Sequence, residues 1–104
     1  MKTVTAWRFR CPYTLEGLRD RLTELGPFRW IDRDNERLGE YLSTRAIPEP
    51  DTGMLKIFEE PDHWVLNVVL EADSAVVKAT LDVVFERLLP GLEATVLGET
   101  DPWE

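Results

Sequence analysis

Hydrophobic and polar positions alternate from the start of the chain. Thr5, Trp7, Phe9 and Cys11 fall on one face of an extended segment, and Val4, Ala6, Arg8 and Arg10 fall on the other. A period of two predicts a strand over residues 3–11 with a buried aromatic face. Pro12 stops it. Thr14 is placed to cap a helix whose apolar residues Leu15, Leu18, Leu22 and Leu25 recur at three- and four-residue steps, and Gly26-Pro27 ends that helix.

Residues 28–45 read as two short apolar stretches around a polar group running from Asp32 to Arg37, which predicts a hairpin with Asp34-Asn35 near its turn. Its inward face stays open: Phe28 and Trp30 agree with one another, but on the second arm Leu38 and Leu42 compete with Gly39 and Tyr41. The segment AIPEPDTG, residues 46–53, is a loop by its prolines, glycine and acids. A second hairpin follows, with Met54 to Phe58 and His63 to Glu71 as its arms. On its second arm Trp64, Leu66, Val68 and Leu70 form a buried face, with His63, Val65, Asn67, Val69 and Glu71 opposite.

Asp73 or Ser74 caps a second helix carrying Val77, Leu81, Val84, Phe85 and Leu88 as its stripe, ended by Pro90-Gly91. Leu92 to Leu97 reads as a last strand, which closes a single domain over residues 1–97 and leaves 98–104 as an acidic C-terminal tail ending in Trp103 and Glu104. The order β-α-β-β-β-β-α-β predicts an α+β fold, with two helices packed on one face of a mostly antiparallel sheet. By fold-level analogy it is ferredoxin-like with an extra hairpin.

Charge narrows the function. Twelve Lys and Arg against 20 Asp and Glu give a net charge of −8 in 104 residues. That sign argues against nucleic acid and against an anionic membrane surface, and favours a basic protein partner or plain solubility. Cys11 is the single cysteine, so no disulfide forms within the chain. No apolar run reaches eighteen residues and the N-terminus lacks a signal-peptide core, so a cytoplasmic location is expected.

Candidate chemistry is sparse. Asp32, Asp34 and Glu36 have the two-residue spacing of calcium-loop ligands, but Arg37 and Ser43 stand where such a loop needs Gly and Glu. His63 is the sole histidine, beside Asp62 and close to Glu59 and Glu60, an acid/base pair in outline without a second metal ligand. Cys11, on the buried face of its strand and far in sequence from His63, reads as a small hydrophobe. No cofactor or metal is expected, and no phosphate loop or nucleophile elbow is present.

Surface residues carry the reading that remains. With both helices on one side, the other side of the sheet presents Arg8, Arg10, Val65, Asn67 and Val69 to water as a mixed apolar and cationic face. Trp103, in the acidic tail, is an aromatic anchor without periodic context. These six residues form the candidate partner-binding set of a non-enzymatic protein-interaction domain, for instance an antidote or immunity-type protein masking a basic partner, or a homodimer seam. A small-ligand sensor with a site between helix and sheet is the second reading, and an enzyme acting through His63 the third.

Overall fold

The computed structural model describes residues 1–37 and 39–102. Strand β1 (Lys2–Arg10) leads into helix α1 (Leu15–Leu25), then a hairpin of β2 (Ile31–Asn35) and β3 (Gly39–Arg45). A second hairpin, β4 (Thr52–Glu59) and β5 (Trp64–Glu71), is followed by helix α2 (Ser74–Val83) and strand β6 (Thr95–Thr100). The strands form one sheet in the order β2-β3-β4-β5-β1-β6, and every neighbouring pair is antiparallel. The expected α+β fold with two helices and an antiparallel sheet is thus observed.

The alternation of β1 and β5 sets which face is covered. Phe9 pairs with Trp64 and Trp7 with Leu66, so both strands turn the same residues toward the helices. Phe9, Leu55, Leu66, Val68 and Leu70 from the sheet join Leu18 and Leu22 of α1 and Val77 of α2 in one buried cluster. Each such leucine contributes about 2 kcal/mol by leaving water, so this cluster is the main stabilising term. Trp7 adds an edge-to-face contact with Phe85, their ring centroids 5.3 Å apart.

Both helix starts are where the sequence places them, though only one is capped by a side chain. Thr14 Oγ1 accepts a hydrogen bond from the Gly17 amide at 3.3 Å, whereas Asp73 makes no such bond to α2. The second helix does not end cleanly. Beyond Val83 it widens into a π-helical segment, Val84–Leu88, in which the Leu89 amide donates to the Val84 carbonyl five residues back, and one more turn, Leu89–Gly91, completes it. The extra residue rotates the apolar stripe, so Leu88, Leu89 and Leu92 are all buried.

That shift also moves the last strand. Leu92, expected as its first residue, instead sits in the core, its amide bonded to the Leu88 carbonyl at 3.0 Å. Glu93 then turns the chain at φ 55°, and β6 begins only at Thr95. It runs through Gly98, Glu99 and Thr100, residues expected in the tail, because Arg8, Trp7 and Ala6 of β1 offer them ladder partners.

The β2–β3 hairpin is present with its turn after Asn35, whose side-chain oxygen accepts from the Arg37 amide at 2.8 Å. Its register, open in the sequence, follows Leu42, which pairs with Ile57 and is buried on the helix side together with Trp30. All five residues of β2 are exposed, so this edge strand touches α1 only through polar side chains such as Arg19 and Asp32. The proline-rich loop closes tightly, with the Ala46 amide bonded to the Gly53 carbonyl at 2.7 Å and Ile47 buried.

Candidate functional site

The face of the sheet away from the helices is the surface to which the sequence pointed. Register places Arg33, Tyr41, Phe58, Val65 and Arg8 in one row across β2, β3, β4, β5 and β1. The neighbouring row runs through Ser43, Lys56, Asn67 and Ala6 to Thr100. A third carries Arg45, Met54, Val69 and Val4. Side chains opposite one another in such rows lie within about 5.5 Å at Cβ and interact directly.

The centre of this face is not bare, contrary to the expectation for Val65 and Asn67. Val65 is 6% exposed and Asn67 1%, and with Ala6 at 0% and Phe58 at 3% they lie inside the structure. Ala6, Phe58 and Val65, with Tyr41 packed against them, form a second small cluster to which no described helix contributes. Tyr41 and Phe58 hold their rings 5.0 Å apart, and the Lys56 ammonium lies 6.0 Å from the Tyr41 ring centroid. Lys56 is half-buried beside the Tyr41 ring, the usual placement of a long cationic side chain whose stem packs while its charge stays near water.

Around this centre exposure rises. Val69, Val4 and Met54 are half-buried, Ile31 is exposed, and Arg8 and Arg10 are exposed as expected. Arg8 reaches over β6, with Nη2 3.8 Å from where a Cβ at Gly98 would stand. Arg10, at the end of its strand, is tied to the next turn: Nε donates to the Asp62 carbonyl at 3.2 Å, and Nη2 is 3.9 Å from the Asp62 carboxylate. Trp103 lies outside the described residues.

Sequence reasoning missed Tyr41, Lys56, Phe58, Met54 and Arg33. Period two along β4 carried the signal for Lys56 and Phe58, since both alternate with Leu55 and Ile57. Tyr41 and Arg33 depended on the register of a hairpin whose face the sequence left open.

The other candidates come together in part. A shallow cavity of about 270 Å³ at the β4–β5 turn brings Cys11 beside His63, Asp62, Arg10 and Tyr13 despite their separation in sequence. His63 Nδ1 and Asp62 Oδ1 share a hydrogen bond of 2.6 Å, and this bond holds the Asp62 carboxyl below its ordinary range, aided by the charges of His63 and Arg10. Burial pushes the Cys11 thiol up, an effect only partly offset by a backbone hydrogen bond at Tyr13. A thiol shifted in that direction is protonated at neutral pH and is a poor nucleophile.

Asp32 is engaged by Arg19 through a charged hydrogen bond, and no group of three or more His, Cys, Asp or Glu residues able to hold a metal exists among the described residues. On the helix layer, Phe28, Ala75, Val76, Ala79 and Val83 line a shallow apolar groove. Among the described residues no helix is long and apolar enough to cross a membrane. No protein-family model matches the chain, and no curated protein matches it.

Proposed function

We propose that this chain is a non-enzymatic protein-interaction domain that works through the sheet face opposite its helices. One observation carries the reading. The face holds an aromatic and aliphatic centre, Tyr41, Phe58 and Val65, with half-buried Val4, Val69 and Met54 beside it and exposed Arg8 and Arg33 at its margins. An apolar centre inside a polar margin, with aromatic and arginine residues prominent, is the composition of a protein contact surface. The arrangement of strands and crossovers suits a ferredoxin-like core, β1-α1-β4-β5-α2-β6, with the β2–β3 hairpin extending its β4 edge. In this reading the hairpin widens the contact surface by bringing Arg33 and Tyr41 to it.

The test is site-specific crosslinking in cells. A photoreactive amino acid placed at Met54 or Val69 is expected to give discrete protein adducts that the same group at Ala79 on α2 does not give. Equal adducts from both positions, or none from the sheet face, would remove the reading.

A further inference from the structure

We infer that the outer edge of β6 takes up an extended segment of a partner protein as a further strand of the sheet, and that this segment is apolar at its centre and basic at both ends. The surface is separate from the sheet face, so this inference goes beyond the reading above and stands independently of it. It begins from a contrast between the two edges of the sheet, β2 and β6, each of which pairs with one described strand. An edge strand turns every second N–H and C=O outward, and its side chains decide whether that row is guarded.

β2 is guarded. Asp32, Arg33 and Asp34 are charged, and Arg19 of α1 holds the Asp32 carboxylate. In β6 the one charged residue is Glu99. Its Val96 is 42% exposed and its Leu97 37%, two large apolar side chains in succession at the rim of the sheet. Leu97 has no partner on β1, because the ladder steps from Phe9–Val96 to Arg8–Gly98 and leaves it in a bulge. Gly98, which follows, adds no side chain to cover this stretch.

The acids lie at the ends of the strand. Glu93 precedes it, Glu99 and Asp101 close it, and all three are exposed. Side chains on neighbouring strands meet directly across a ladder, so an added strand sets its own residues about 5.5 Å from those of β6. Lysine or arginine opposite the acids, with apolar residues opposite Val96 and Leu97, complements the edge along its length. Arg8 reaches over Gly98 from β1, so the middle of the edge does not call for another cation. β6 spans about 20 Å, which sets the segment at roughly six to eight residues. The chain's net charge of −8 draws a basic segment from a distance.

A second copy of the chain fits this edge poorly. Antiparallel pairing of β6 with itself gathers the acids of both copies around one short ladder, and like charges there are destabilising. The bulge shortens the regular stretch, which limits sheet-to-sheet association while leaving length for a short segment.

The experiment is fluorescence anisotropy on the full chain with a labelled peptide of about eight residues, alternating valine and threonine at its centre with lysines at each end. One comparator carries glutamates in place of the lysines. Another carries N-methyl groups on its central amides, which removes the donors that would join the ladder. The basic peptide is expected to bind about tenfold or more tightly than the acidic one, to weaken as salt rises, and to lose binding when N-methylated. Glu99→Lys with Asp101→Lys is expected to weaken it about tenfold, and Leu97→Lys to weaken it also. Asp34→Lys on β2 should leave it unchanged, with circular dichroism confirming the fold of each variant.

Equal binding of the basic and acidic peptides, full binding of the N-methylated one, or no binding of any would overturn the inference. So would equal weakening by Asp34→Lys, which would reduce the effect to net charge. Sedimentation of the chain as a dimer that Leu97→Lys dissolves would overturn it too, since a second copy would then hold the edge. Crosslinking at Met54 and Val69 reads the sheet face and not this edge, so failure of either reading is seen separately.

Discussion

The two faces of the sheet are built from the same five central strand pairings but buried by different means. On one face Phe9, Leu55, Leu66 and Val68 are covered by Leu18, Leu22 and Val77 of the helices, within a single continuous cluster. On the other, Ala6, Phe58 and Val65 form a small cluster with Tyr41 packed against it, and no described helix contributes to it. The first face is dry and fixed by apolar packing, so its residues answer mainly to shape. The second keeps charge at its surface.

Stability measurements by urea denaturation sharpen this contrast. Leu66→Ala on the helix face is expected to cost about 2–5 kcal/mol, through lost burial and a cavity the helices cannot close. Gly53→Ala comes next, at about 1–3 kcal/mol, because a Cβ there would stand 2.4 Å from the Ile47 Cβ and the loop must shift. Val65→Ala on the opposite face is expected to cost about 1.5 kcal/mol, the value of its two lost methyl groups, since neighbouring flexible side chains can close over the gap. If Val65→Ala costs as much as Leu66→Ala, the two faces are packed alike and the comparison fails.

The smallest expected effects lie at the margins. Arg8→Glu with Arg33→Glu should change stability by no more than about 0.5 kcal/mol per site, so any large loss of binding in that variant is a surface effect. Asp62 should titrate below its ordinary value of 3.8, as its hydrogen bond to His63 favours the carboxylate. Its folded pKa is depressed, so its stabilising contribution is present above that value and lost as pH falls through the lower folded one. His63→Gln, followed by NMR titration of Asp62, should return the midpoint toward the ordinary value; an unchanged midpoint would show that the His63 contact does not set it.

Much of the helix-side architecture was legible because strict periodicity expresses one-sided burial. Trp64, Leu66, Val68 and Leu70 alternate along β5, and Leu18 and Leu22 recur along α1, so each element announced its inner face. The last strand did not, because the π-helical segment adds a residue to the helical course and draws Leu92 into the core, which no local pattern encodes. The opposite face was half legible. Arg8, Val65 and Val69 followed from β1 and β5, but Tyr41 and Arg33 sit on a hairpin whose register depends on Leu42 meeting Ile57 across the sheet. Burial of Asn67 and Val65 was likewise not encoded locally, since alternation along one strand does not say what covers its outer face.

The most direct test of the account is an amide NMR titration of the protein with the partner recovered as the Val69 adduct, reading which residues move. The account predicts shifts concentrated along the strands at Arg8, Tyr41, Phe58, Val65 and Val69, with α1 and α2 unmoved. Shifts centred on Phe28, Val76 and Ala79 of the helix layer would contradict it, as would a spectrum that the partner leaves unchanged.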